Sequence, residues 1–237
     1  MTDVTANEFH YEVVDIQPFS NHITQLILSP SNASHLVYHA GQYLEMIHSD
    51  GSASPLSIAT APRDNFQIEL HLSHPSNNLP AQAILQTLST EKKCLIRGPY
   101  GVCFAEKLYG DRPIIFLARG TGFAPIKAMI EELIKCKNTP RMHFFWSVSA
   151  PHEFYLSDLL AQWVREIKHF SFTPVLSRPH PEWHGKTGRL QNVILEHYPD
   201  MTRPLVYASG PELMVRHVWE ALSQAGLVKE RYFSDWV

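Results

Sequence analysis

The sequence predicts an all-β domain followed by an α/β domain, and three observations carry that prediction. The N-terminal part holds several short β-like segments joined by stretches rich in Ser, Asn, Gly and Pro. Beyond Tyr109 the pattern changes, and short apolar strands alternate with longer helical patterns. Residues 114–125, IIFLARGTGFAP, then run an apolar strand straight into a glycine turn and the start of a helix.

Taken in order, the β-like segments are 10–17, 23–29, 42–48, 66–73 and 94–97. Several alternate apolar with polar residues, as in an antiparallel barrel or sandwich with one face turned inward; a six-stranded barrel is the expected form. One helix interrupts them over 79–88, with Leu79, Ile84, Leu85 and Leu88 on one stripe, Asn77 or Asn78 as N-cap and Pro80 in the first turn. The charged stretch Gly110-Asp111-Arg112-Pro113 sits where the pattern switches, which places the boundary near 104–112 and the domains at 1–106 and 107–237. In the second domain, strands at 114–118, 142–147, 171–176 and 205–208 are separated by helices near 123–135, 154–167, 190–198 and 212–225. That alternation predicts βαβ units and a doubly wound parallel sheet.

Composition narrows the functional classes. A chain of 237 residues with 44% hydrophobic content is long enough to bury one large or two modest cores. Its net charge of −3, with Lys and Arg scattered, gives no basic field for nucleic acid or an anionic membrane. No segment approaches the roughly 20 apolar residues of a membrane span. The start, MTDVTANEFH, lacks the basic and apolar regions of a signal peptide, so a cytoplasmic location is expected and the glycosylation pattern at Asn32-Ala33-Ser34 reads as chance. Cys94, Cys103 and Cys136 are odd in number and far apart, which argues against disulfides and a four-thiolate cluster, and the dispersed histidines signal no metal site.

The glycine turn carries the chemistry. A buried strand, a tight turn and a helix N-terminus bring backbone N–H groups to a dinucleotide pyrophosphate, and the helix dipole favours the negative charge. Gly120 and Gly122 allow the close approach. By itself the motif is as compatible with an ordinary βα turn as with a cofactor site.

Three further motifs decide between them: Ser54-Pro55-Leu56-Ser57 in the first domain, Gly98-Pro99-Tyr100-Gly101 at its end, and Tyr207-Ala208-Ser209-Gly210-Pro211-Glu212-Leu213-Met214 on the last parallel strand. In this order, together with Gly120-Thr121-Gly122-Phe123-Ala124-Pro125, they resemble the ferredoxin–NADP reductase superfamily and, within it, the NAD(P)H:flavin oxidoreductases. The resemblance covers essentially the whole chain. It implies a flavin, FAD or FMN, in the cleft between the domains and NADH or NADPH across the carboxyl ends of the parallel strands, with hydride passing from nicotinamide to flavin. Flavin and nicotinamide are thus the expected small-molecule partners, with a downstream electron-acceptor protein as a further one.

Residue by residue, the resemblance gives Ser57 a contact at flavin N5, with Pro55 and Leu56 beside the ring. It gives Gly120, Thr121, Gly122 and Pro125 to the pyrophosphate turn, and Ser209, Gly210 and Pro211 to the nicotinamide half, with Ser209 at the hydride-transfer position. The chain also departs from the family pattern. Ser54 stands where an Arg usually binds flavin phosphate and Leu56 where an aromatic packs on the ring, so the flavin is expected to behave as a dissociable substrate. Arg119 replaces the first Gly of the usual Gly-Gly-Thr-Gly, and its guanidinium either pairs with a phosphate or obstructs the cleft. Arg63 is a second possible source of the missing charge, or an exposed turn residue. Phe233 or Trp236 either stacks on the flavin or anchors the chain end. Ser177-Arg178, after the third parallel strand, resembles the pair that binds the 2′-phosphate in NADPH-using relatives, which leans the cofactor towards NADPH. Against that, Trp146-Ser147-Val148-Ser149 lacks a basic residue.

Overall fold

The computed structural model describes residues 7–236. Its first half is built from β1 (Asn7–Ser20), β2 (Ile23–Pro30), β3 (Tyr43–Ile47), β4 (Ala53–Ser57), β5 (Ile68–Ser73), helix α1 (Leu79–Glu91) and β6 (Lys93–Tyr100). The strands pair antiparallel in the order β4-β3-β6-β1-β2-β5. The sheet curls so far that one bridge, Ile58 to Leu70, links its two open ends. Alternation explains the curl: Leu44 and Met46 of β3, Leu26 and Leu28 of β2 and Ile68, Leu70 and Leu72 of β5 all point into one core. On β5, Glu69 and His71 are an exception to the polar-out rule, since both are buried as well. Helix α1 begins where Asn78 accepts a hydrogen bond from the Ala81 N–H at 3.2 Å, with Pro80 in the first turn. It runs three residues past the expected end and stops at Lys92, which adopts the left-handed conformation.

The second half contains β7 (Ile114–Arg119), α2 (Phe123–Lys135), β8 (Met142–Val148), α3 (Ser157–Glu166), β9 (Phe170–Leu176), β10 (Lys186–Thr187), α4 (Leu190–His197), β11 (Leu205–Ser209), α5 (Glu212–Gln224) and β12 (Tyr232–Phe233). All strand pairs are parallel, in the order β10-β9-β8-β7-β11-β12. Chain order reverses between β7 and β11, so the carboxyl ends of these two strands form the switch point where open sheets bind ligands. Three elements differ from expectation. Helix α3 starts at Ser157 rather than 154, because Pro151–Glu153 form a 3-10 turn and Leu156 has φ of 55°. The two-residue strands β10 and β12 are too short to leave a periodic pattern.

The halves share apolar contacts. Cys103, Ala105 and Leu108 of the connecting segment and Ile23 and Ala40 of the barrel belong to the same buried cluster as Phe123, Met129 and Phe144. Among the described residues, no helix is long and apolar enough to cross a membrane, and no group of His, Cys, Asp or Glu is arranged to hold a metal ion.

Candidate functional site

The glycine turn leaves β7 at Arg119 and enters α2 at Phe123 through one 3-10 turn, Gly120–Gly122. Gly120 has φ of +54°, a conformation that favours glycine. At Gly122 the constraint is space, since a Cβ there would lie 2.3 Å from the Ser209 carbonyl oxygen. The turn is therefore pressed against the end of β11, which joins the two sequence motifs into one site. Buried Trp146 pins it from the other side, donating its indole N–H to the Gly120 carbonyl at 2.9 Å. No side chain caps α2, so the positive end of its dipole is open to an anion.

A cleft of 530 Å³ lies between the domains. The barrel contributes Tyr43, residues 54–57, His71 and the N-terminal part of α1, and the parallel sheet contributes Thr121, Gly122, residues 207–210 and the chain end at Asp235 and Trp236. Beside it, sharing Thr121, Gly122 and Gly210, is a recess of 380 Å³ lined also by Arg119, Gly120, Ser149, Glu153 and Pro211. Strand β4 is at the sheet's edge and pairs only with β3, so one edge of its backbone has no strand partner alongside the cleft.

The structure thus brings Ser54, Pro55, Leu56, Ser57, Thr121, Gly122, Ser209, Gly210 and Trp236 to the cleft, and Arg119, Gly120 and Pro211 to the recess. Five residues singled out by sequence line neither. Pro125 is buried in the first turn of α2, Phe233 packs against the core from β12, and Ser177 and Arg178 follow β9, where the Ser177 N–H is used on the Val148 carbonyl at 2.9 Å. Arg63 is exposed on a separate groove with Asp64, Glu131 and Lys135.

Charge is distributed unevenly between the two cavities. No Lys or Arg lines the cleft among the described residues, and Ser54, in the position usually held by an Arg, instead bonds through its hydroxyl to His48 Nε2 at 2.8 Å. Arg119 is the one cation on the recess, and it makes no ion pair among the described residues. A guanidinium left over in this way is a ready partner for a phosphate.

Two groups at the cleft were missed from sequence. His71 is fully buried; Tyr155 donates its hydroxyl to Nδ1 at 3.0 Å and Nε2 donates to Glu69 at 2.8 Å. Burial lowers its pKa against the opposing pull of Glu69, so the imidazole is neutral. A signal existed in the two polar residues alternating within the apolar strand Ile68–Ser73. Asp235 accepts from the Val102 N–H at 3.3 Å, and burial raises its pKa against that hydrogen bond. Its neighbour Trp236 donates to the Gly210 carbonyl at 3.0 Å. The chain end therefore straps the end of the barrel to the end of β11.

A curled antiparallel sheet joined to a doubly wound parallel sheet, with the cleft at the switch point, defines the class by its fold: a β half followed by an α/β half of the kind that takes ligands at the carboxyl ends of its strands. Residues 116–220 match the oxidoreductase NAD-binding domain family. The chain is 35% identical over 213 residues to the CDP-6-deoxy-L-threo-D-glycero-4-hexulose-3-dehydrase reductase of Yersinia pestis, covering 90% of this chain and 63% of that protein. It is 26% identical over 230 residues to the NAD(P)H-flavin reductase of Vibrio harveyi, covering 94% of this chain and 96% of that one. The flavohem-like FAD/NAD binding domain of nitric oxide dioxygenase from Vibrio cholerae shares the fold, with a TM-score of 0.80 at 17% identity over 95% of this chain and 96% of that one. These matches support the resemblance to the ferredoxin–NADP reductase superfamily, and the second half of the chain carries the oxidoreductase NAD-binding domain.

Proposed function

We propose that the chain is an NAD(P)H:flavin oxidoreductase that takes its flavin as a dissociable substrate. The observation that carries this reading is the contrast between the cleft, with hydroxyls and apolar walls but no Lys or Arg among the described residues, and the recess, with Arg119. The cleft's 530 Å³ is within the range of about 300–1,000 Å³ typical of small-molecule sites. Leu56, Tyr43 and Trp236 offer apolar surface to a planar ring, and Ser57, Thr121 and Ser209 offer small donors and acceptors to its polar edge. The residues present therefore fit an isoalloxazine ring, and they fit a charged flavin phosphate poorly. A bound flavin supplies the hydride acceptor.

In this reading the protein's own part is orientation. Arg119 and the open end of α2 hold the dinucleotide pyrophosphate, Gly210 and Pro211 bring backbone to its nicotinamide half, and Ser57 positions the flavin edge that receives hydride. Catalysis then comes from holding two rings in stacking contact, a proximity effect that needs no general base. Arg178 lies off both cavities, so the lean towards NADPH rests on the resemblance of Ser177-Arg178 to the 2′-phosphate pair alone. A steady-state panel of NADH and NADPH against FMN, FAD and riboflavin tests the reading. Saturable reduction of free flavin supports it, and absence of turnover with every pair refutes it.

A second reading is favoured by the Yersinia pestis relative, whose name describes the reductase of a deoxysugar dehydrase. The chain spans about two thirds of that protein's length, 63%. Here flavin is retained and electrons pass to a protein partner. Copurifying flavin with partner-dependent turnover would select this reading.

A further inference from the structure

Helix α2 carries Lys127, Glu131 and Lys135 on one face, four residues apart, and this face meets the barrel. The Lys127 ammonium is 6% exposed and donates to the Ala59 carbonyl at 3.0 Å, Glu69 Oε2 at 2.9 Å and Glu131 Oε1 at 2.7 Å. An ammonium has three protons, and all three are used. Glu131 Oε2 accepts from the Ala61 N–H at 3.1 Å, and Lys135 donates to the Pro62 carbonyl at 2.9 Å. On the barrel side, Glu69 Oε1 accepts from Gln25 and from His71, both at 2.8 Å, and His71 returns to the second domain through Tyr155. The network is continuous across the domain boundary, and its charged centre is buried.

We propose that this seam is a positioning device, in which Lys127 and Glu69 lock the angle between the barrel and the parallel sheet and thereby set how the nicotinamide lies on the flavin. The last link rests on the flavin-reductase reading; the lock itself does not. Charge-assisted hydrogen bonds are short and directional, so a seam made of them tolerates less sliding than an apolar one. Buried ion pairs add little net stability over apolar replacements, and fixing a register is their best-attested use. The seam is also close to both walls of the cleft. Lys127 lies one turn beyond Ala124, which lines the cleft, and Glu69 lies two residues before His71, which lines it from the barrel.

The test is the double variant Lys127→Met with Glu69→Gln, which removes both buried charges at nearly constant volume and leaves Gln25 and His71 an amide acceptor. Circular dichroism checks the fold, calorimetry reads domain coupling, and anaerobic single-turnover mixing reads hydride transfer together with the long-wavelength charge-transfer absorbance of stacked rings. The wild type is expected to unfold in a single transition, and the variant to stay folded but to unfold in two. Hydride transfer falls by about tenfold or more and charge-transfer absorbance weakens, while the affinities for flavin and dinucleotide stay within about threefold. A single transition in the variant overturns the lock. Unchanged transfer in a variant whose domains melt apart overturns the positioning role, as does a rate loss that merely follows lost affinity. If the wild type reduces no flavin, the functional reading fails, and calorimetry still decides the lock.

Discussion

Replacing Arg119 with alanine removes the one cation that lines the recess among the described residues, and little else. The residue ends β7 in an extended conformation, φ −124° and ψ 128°, which alanine also adopts. Its side chain is exposed and makes no ion pair among the described residues, so no internal contact is lost. A charge-assisted hydrogen bond is worth about 1.5–3 kcal/mol, equivalent to roughly ten- to more than hundredfold in affinity. Solvent competes at an exposed site, so the lower end applies, a rise of about tenfold in KM for NAD(P)H. The assay is initial rates over a range of dinucleotide at saturating flavin, at low and at moderate ionic strength. The expected variant has a higher KM, a nearly unchanged kcat and a weaker salt dependence than the wild type. An unchanged KM at low salt would refute a phosphate partner for Arg119. A lower KM would show that the side chain obstructs the site instead.

Other outcomes follow from the same geometry. Ser57→Ala is expected to slow hydride transfer by about tenfold while the dinucleotide KM stays within about twofold, and single-turnover rates check it; equal losses in both would mark Ser57 as structural. Gly122→Ala forces a Cβ to within 2.3 Å of the Ser209 carbonyl oxygen and 2.7 Å of its carbon, so it should cost about 1–3 kcal/mol of stability and most of the activity; a melting temperature within a degree of wild type would contradict this. Acid should loosen the seam. Burial raises the Glu69 pKa, but the His71 hydrogen bond and the Lys127 charge outweigh it and bring it from 4.5 down to about 2. Glu69 therefore contributes stability that is full above 4.5 and lost as pH falls towards about 2. His71, also lowered in the fold by its burial, adds a loss that begins below 6.5. Melting temperature should fall by several degrees as pH is lowered from about 5 to about 3, and less steeply in the Lys127→Met, Glu69→Gln variant; equal slopes over that window would show that the pair does not carry the effect.

The architecture was legible because its cues are local. Turn residues and period-two alternation mark β1 to β3, and strand-helix alternation marks the parallel sheet from Ile114 onwards. Asn78 and Pro80 announce α1 for the same reason. The glycine turn was legible as a phosphate motif, yet its tie to Ser209 depends on a contact between residues far apart in sequence, which no local pattern reports. Arg119 shows the limit most plainly, since the sequence left its partner open between flavin and dinucleotide, and its place on the recess favours the dinucleotide. Glu69 and Lys127 went unnoticed because a Lys and a Glu in separate elements read as ordinary surface charges until the fold buries both. Phe233 and Trp236 are three residues apart and equally aromatic, but β12 turns one into the core and leaves the other at the cleft.

In the proposed function the cleft binds free flavin next to a dinucleotide and lets hydride pass between them. Anaerobic stopped-flow mixing of NADPH with the protein and added FMN, followed by the bleaching of flavin absorbance, tests it most directly. Fast bleaching is expected, with a rate that saturates with flavin concentration, in protein purified without bound flavin. No bleaching beyond the uncatalysed rate, with NADH and with FAD or riboflavin as well, would contradict it.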